Sequence, residues 1–332
     1  MITGKNPARQ RGITLIELMI AMLLALVLTA AVITTFTQNK QSFNQDENIQ
    51  RMQDDARYAL REIAFDLSMA GYVSDILIGS AARNDDSLTI ATDCGPAGED
   101  LWMYQLMSNA TGESLSVTAV DNATGGSASA SYSCIDGGEV QPGTDIVAIK
   151  RVSGARTAVP EAGTVYLRSN GTIGLLYQEP ANTPPAINVP PPFSEWRYRP
   201  SIYYVRNYGD APGDGVPTLC RKVLTGGVPA MVTECLAKGI ENLQIEYGID
   251  SDGDGNANAF LSAPTVAQMQ GAVSARIFLL ASTLNVDTAY TSDKTYFVSN
   301  APAYTPVDDK HRRVISTTVG IRNIRSLKLL GF

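Results

Sequence analysis

The sequence predicts an α+β protein, with one long amino-terminal helix packed against a globular body of antiparallel β-sheet. Three observations carry this expectation. Residues 18–36 are an unbroken run of apolar residues and threonines. Behind them Ile49, Met52, Ala56, Leu60, Ile63 and Leu67 recur at three- and four-residue steps, the period of a helix with one apolar face. From Tyr72 onward the chain changes to short β-branched and aromatic runs bounded by Gly, Asn, Asp and Pro.

The apolar run is the first element. Between Ile13 and Asn39 the only charged residue is Glu17. Residues 18–36 would extend roughly 28 Å as a helix, about one bilayer core. The preceding Lys5, Arg9 and Arg11 are expected to stay on the cytoplasmic side, which sends the rest of the chain across the membrane. An ordinary secretory signal would end in a small-residue cleavage site, and Thr34-Thr35-Phe36-Thr37 supplies none. A plain membrane anchor leaves Glu17 without a reason, since a carboxylate at that depth is costly and needs a partner.

The amphipathic stretch is the second element. It extends the helix without a break, from about Ile13 to Ala70, and Gly71 offers the left-handed conformation at which helices stop. This divides the chain into residues 1–12 as a basic stretch, 13–36 as a membrane segment, 37–71 as an amphipathic continuation and 72–332 as the β-rich body. The proline-rich stretch Glu179–Phe193 is expected to be extended and unpaired, and it is a candidate subdivision of that body. Gly125–Ser133, small and polar, reads as a flexible surface turn. Strands are expected at Ser87–Ala91, Ser114–Val120, Asp145–Val152, Thr164–Arg168, Ile173–Tyr177, Ile202–Arg206, Leu219–Leu224, Leu243–Ile249, Val273–Ser282, Thr295–Ser299 and Val314–Arg322.

Composition narrows the function. Hydrophobic residues are 44% and charged residues 18% of the 332, which supports a packed core and excludes a disordered chain. The net charge is −7; without the first twelve residues, 23 basic residues face 33 acidic ones, a net of −10. Nucleic acid is not an expected partner for so acidic a body. Cys94, Cys134, Cys220 and Cys235 lack C-x-x-C spacing, and one histidine, His311, cannot complete a zinc site. Two disulfides in an oxidising compartment are expected, with four buried thiols as the alternative. Three connectivities are open; proximity favours Cys94 with Cys134 and Cys220 with Cys235, the second pair clipping a two-stranded excursion around Gly226-Gly227.

No G-x-S-x-G, P-loop or G-x-G-x-x-G after a strand is present, and His311 lies in the charged run 308–313, which reads as a solvated turn. No enzyme activity is expected. The aromatics Trp102, Trp196, Tyr198, Tyr203, Tyr204 and Tyr208 read as packing residues. One candidate ligand site remains. Asp250, Asp252 and Asp254 alternate with Gly253 and Gly255 and lead to Asn256 and Asn258, the oxygen spacing of a calcium loop. Leu261 stands where a complete loop carries a bidentate glutamate, so Ca2+ would bind weakly or take a ligand from elsewhere. The alternative is an ordinary solvated Asp/Gly/Asn turn.

Arg11-Gly12-Ile13-Thr14-Leu15-Ile16-Glu17-Leu18 resembles the class III signal of type IV prepilins. The resemblance implies cleavage after Gly12 by a prepilin peptidase, which makes 1–12 a leader and 13–36 a filament-core segment. It also implies methylation of the new amino terminus at Ile13, and a Glu17 that pairs with a neighbouring subunit's terminus to set filament register. Isoleucine at the new terminus departs mildly from the phenylalanine common there. Gly239–Gly248, Ala275–Ala281, Lys294-Thr295-Tyr296 and Thr317–Asn323 are similar to the PilW type of minor pilin; between Gly71 and Pro217 the resemblance is weak. It implies a pilin-like fold and a role in type IV pilus assembly, priming the filament or sitting at its tip. The implied partners are the prepilin peptidase, the inner-membrane assembly platform, other minor pilins, the major pilin and a tip adhesin. It also implies a single-pass inner-membrane protein of a Gram-negative bacterium, periplasmic at its carboxyl end, that later enters the filament. The J-type pseudopilins of type II secretion share this layout and stay open, as does a calcium-dependent adhesion module at the tip.

Overall fold

Helix α1 runs from Leu15 to Ser68. The computed structural model describes residues 12–76, 82–105, 116–179 and 192–324. Residues 1–11 of the expected leader, residues 114–115 of the expected strand Ser114–Val120 and residues 180–191 of the proline-rich stretch lie outside them. The chain divides into two compact units, Met1–Gln50 and Arg51–Phe332.

In the first unit the part of α1 from Leu18 to Phe36 is apolar on every side, and its large side chains are exposed. The threonines are tolerated because their hydroxyls fold back on the helix. Thr29 and Thr35 donate to the carbonyls of Ala25 and Ala31, and Thr34 and Thr37 to those of Ala31 and Thr34. No hydroxyl among these four therefore needs water.

In the second unit the last turns of α1 bury Met52, Ala56, Ala59, Ile63 and Leu67, one stripe at the helical period. The helix ends where Gly71 takes φ +73° and donates its N–H to the Lys150 carbonyl at 3.0 Å. A side chain there would be strained, and its Cβ would crowd the Ser116 hydroxyl.

Three sheets follow. The first contains β1 (Ala82–Asn84), β4 (Val165–Ser169), β5 (Gly174–Gln178) and β6 (Ser194–Arg197) in the order β1-β5-β4-β6. The second contains β2 (Val117–Ala123), β3 (Thr144–Ile149), β7 (Ser201–Arg206), β8 (Thr218–Leu224) and β9 (Met231–Lys238), in chain order across the sheet. The third contains β10 (Ile240–Ile249), β11 (Ala259–Leu261), β12 (Ala272–Ser282) and β13 (Arg312–Gly320) in the order β11-β10-β12-β13. Pairing is antiparallel except for β1 with β5. The second and third sheets are joined through buried polar groups. Asp145 on β3 accepts the backbone N–H of Ile245 on β10 at 2.7 Å, and the Gln244 amide donates to the Gly143 carbonyl at 3.0 Å.

Several expectations need correction. Gly125–Ser133 is not a flexible turn: Gly125–Ser131 forms helix α2, started by a capping box between Thr124 and Ser127. Its poor helix formers are held by packing, with Ala128 and Tyr132 buried and Gly125 lying against the Gly137 backbone too closely for any side chain. Ser87–Ala91 forms no strand; β1 lies just before it. Thr295–Ser299 makes one isolated bridge, Tyr296 with Tyr304. Strands β6 and β11 were not expected, whereas β8 and β9 form the two-stranded excursion expected around Gly226-Gly227. The remaining helix, α3 (Val266–Met269), is a single capped turn before β12.

Disulfides join Cys94 to Cys134 and Cys220 to Cys235. The first packs in a cluster with Trp102, Tyr132 and Ile135. The second links directly opposed residues of β8 and β9.

Candidate functional site

The amino end of α1 is the first place where the sequence concentrates function. Gly12 stands in open space, and Ile13 is exposed. Thr14 and Glu17 close a capping box: the Glu17 carboxylate accepts the Thr14 N–H at 3.0 Å, and the Thr14 hydroxyl accepts the Glu17 N–H at 3.3 Å. The same hydroxyl lies 2.9 Å from the carboxylate. Glu17 thereby satisfies a helix donor that would otherwise be unpaired in an apolar medium. It is also the only acidic residue of the first turn.

The second place is the loop between β10 and β11. Asp250 is almost wholly buried, and its two oxygens accept the N–H groups of Gly253 at 2.6 Å and Gly255 at 2.8 Å. Both glycines have positive φ, which turns their N–H groups inward. This brings the carboxylates of Asp250, Asp252 and Asp254 within 4.8 Å of one another, a set of hard oxygen donors suited to calcium. The asparagines are turned differently. Asn256 and Asn258 point amide nitrogens at Asp254 and Asp252, at 3.1 and 3.0 Å, and the Asn258 oxygen accepts from the Ser251 N–H. To ligate a cation through that oxygen, Asn258 would have to rotate its amide. Leu261 is paired with Tyr247 in the sheet and offers no ligand.

Residues 308–313 are not the solvated turn the sequence suggested. The Arg312 side chain is 2% exposed, held by Glu241 at 2.6 and 3.0 Å and by Asp308 at 2.6 Å. His311 stacks on Tyr290 with ring centroids 4.0 Å apart and contacts Asp287 at 3.0 Å. The six aromatics read as packing residues are all buried.

Residues 7–33, which include Gly12, Ile13 and Glu17, match the family model of the prokaryotic N-terminal methylation motif. Residues 202–323, from β7 through β13, match the model of the type IV pilus-assembly protein W. Both are consistent with a PilW-type minor pilin. Neither a curated protein nor a solved structure matches the chain. The PilW-type match spans the whole third sheet and the hairpin β8–β9, and the methylation motif spans the apolar half of α1. Together they support a type IV pilus assembly-related pilin, and the matched families are structural ones, not known as enzymes. The motif and the apolar helix fit a membrane-anchored pilin that is later incorporated into the pilus.

Sequence reasoning missed the group that holds α1 to the sheets. Asp66, on the buried stripe, accepts from Arg151 Nε at 2.9 Å and Nη2 at 2.5 Å, from the Ser201 hydroxyl at 2.8 Å and from the Tyr203 hydroxyl at 2.7 Å. Glu62, one turn earlier, meets Arg221 at 3.0 Å. An acid within an apolar stripe was the only available signal.

Proposed function

We propose that the chain is a minor pilin that primes type IV pilus assembly together with other minor pilins and stays at or near the filament tip. The observation that carries this reading is Glu17, the only charge between Ile13 and Asn39 in a helix that precedes a PilW-type sheet region. On this reading the prepilin peptidase cuts after Gly12 and methylates Ile13. The membrane half of α1 then transfers from bilayer to filament core, and residues 72–332 are displayed outside. Glu17, partnered inside its own chain by Thr14, is then positioned to exchange that partner for a neighbour's amino terminus.

The experiment is deletion and complementation with a Glu17→Ala variant, scored for surface pili and for secreted proteins. Loss of pili in both the deletion and the variant supports the assembly role. Normal pili with blocked secretion would assign the chain to the J-type pseudopilins instead.

A second reading is favoured by the converging carboxylates of Asp250, Asp252 and Asp254: a calcium-dependent adhesion module at the tip. Calorimetry with calcium on the full chain in micelles, compared with an Asp252→Asn, Asp254→Asn variant, tests it. No heat at millimolar calcium would rule this reading out.

A further inference from the structure

Beside the last turn of α1 lies a cleft of about 200 Å³ whose lining carries four arginines, Arg151, Arg197, Arg199 and Arg221, against two carboxylates, Asp66 and Glu234. The arginines are not equivalent. Arg151 is neutralised by Asp66, and Arg221 by Glu62 and Glu234, each at 3.0 Å. Among the described residues the Arg197 guanidinium pairs only with Glu161, at 3.7 Å, and that carboxylate is 70% exposed. Among the described residues, the Arg199 guanidinium makes no hydrogen bond or ion pair, although its backbone N–H is fixed to the Arg151 carbonyl at 2.9 Å. Burial, and then Arg197 and Arg151, disfavour its charge and hold its pKa below the ordinary value, with Asp66 opposing.

We propose that this cleft is an anion site, in which Arg199 and Arg197 take an oxyanion, a carboxylate or a phosphate, against the floor made by Arg151 and Ser201. The chemistry follows from the donor set. A guanidinium offers a planar fork that matches the two oxygens of such a group, and an anion would relieve the repulsion among the converging cations. The floor is preorganised, because Asp66 and the Ser201 hydroxyl are already bonded to each other and Arg151 is locked on Asp66. Arg199 is exposed, and what sets it apart from other exposed arginines is the cleft that it lines together with Arg151, Arg197 and Arg221. The inference does not depend on the filament reading.

The oxyanion has two candidate sources: a free inorganic anion, or an acidic side chain of another polypeptide. Calorimetry on the full chain in nonionic micelles at low ionic strength, with inorganic phosphate and separately with hexaglutamate as probes, separates them. Saturable binding of phosphate in preference to the peptide identifies a free oxyanion, and the reverse preference identifies a partner's carboxylate. In either case Arg199→Gln and Arg197→Gln should each weaken binding about tenfold, the scale of one charge-assisted hydrogen bond. Arg313→Gln, an exposed arginine on β13 outside the cleft, should leave it unchanged. Both cleft side chains are exposed or half-exposed, so the variants should melt like the parent. Absence of saturable binding by either probe, or equal weakening by Arg313→Gln, overturns the proposal.

Discussion

Arg151 closes on Asp66 across 85 residues of chain, with two guanidinium nitrogens on one carboxylate oxygen at 2.9 and 2.5 Å. Both side chains are 7% exposed. The other carboxylate oxygen takes the hydroxyls of Ser201 and Tyr203, so the carboxylate is bonded on both sides and leaves little capacity unmet.

Removing one member of that set should be expensive. Asp66→Ala leaves Arg151 buried without a counter-ion and is expected to lower stability by about 3–5 kcal/mol. Replacing both, as Asp66→Leu with Arg151→Met, should recover much of that loss, because two desolvated charges are removed together. Urea unfolding of the full chain in micelles measures both. A double variant as unstable as Asp66→Ala would refute this account.

Two buried groups give opposite pH dependences. Burial pushes the Asp145 carboxyl from 3.8 up to about 7, against the N–H groups of Asn122 and Ile245. The folded state then binds more protons between those values, so stability falls as pH rises from about 4 to 7. Burial pushes the Lys150 ammonium from 10.5 down to about 7, with Asp93 and Glu99 opposing. Here the unfolded state binds more protons, so stability rises from about pH 7 towards 10. Thermal melts between pH 5 and 9 should show a shallow minimum near neutrality. Asp145→Asn should flatten its acid side and Lys150→Met its alkaline side.

The disulfides should differ in weight. They span 40 and 15 residues, and chain-entropy scaling assigns about 4 kcal/mol to the first and about 3 kcal/mol to the second. Replacing both cysteines of a pair by serine, with urea midpoints as the measure, should therefore cost more for Cys94 with Cys134. The reverse order would mean that the packing around Trp102 and Tyr132 compensates for the lost link.

Glu17 has two properties that substitution can separate. Glu17→Gln keeps an oxygen able to accept the Thr14 N–H, while Glu17→Ala removes the cap and the charge together. If charge sets subunit register, the glutamine variant should lose surface pili as fully as the alanine variant. Piliation rescued by glutamine would assign Glu17 to helix capping alone.

How much of this was legible in the sequence depended on how local the cause was. The helix could be read because its apolar stripe and the closing Gly71 are periodic features of neighbouring residues. The acidic loop could be read because its three aspartates lie within five positions, whereas the amide orientations of Asn256 and Asn258 are set by Ser251 and by the carboxylates themselves. Strand β6 could not: Ser194-Glu195-Trp196-Arg197 carries two charges in four residues and is a strand because β4 accepts it, with Arg168 pairing Glu195. Helix α2 was hidden for the opposite reason, since Gly and Ser oppose a helix that only the packing of Ala128 and Tyr132 sustains. Asp66 needed partners more than 80 residues away.

Strand β9 exposes Val232, Thr233, Glu234 and Cys235 and stands at the end of its sheet. Beyond the Arg221–Glu234 pair and the buried Met231 and Ala237, its side chains give little preference for one alignment with β8 over an alignment slipped by one residue. Cys220 faces Cys235 directly across that pair. The bond between them acts as a peg: only one alignment can be oxidised, so the redox state of the compartment, and not the apolar pattern, selects how this hairpin is laced. A chain that met reducing conditions while folding would still make the hairpin, but with its alignment left to the Arg221–Glu234 pair and to the buried Met231 and Ala237.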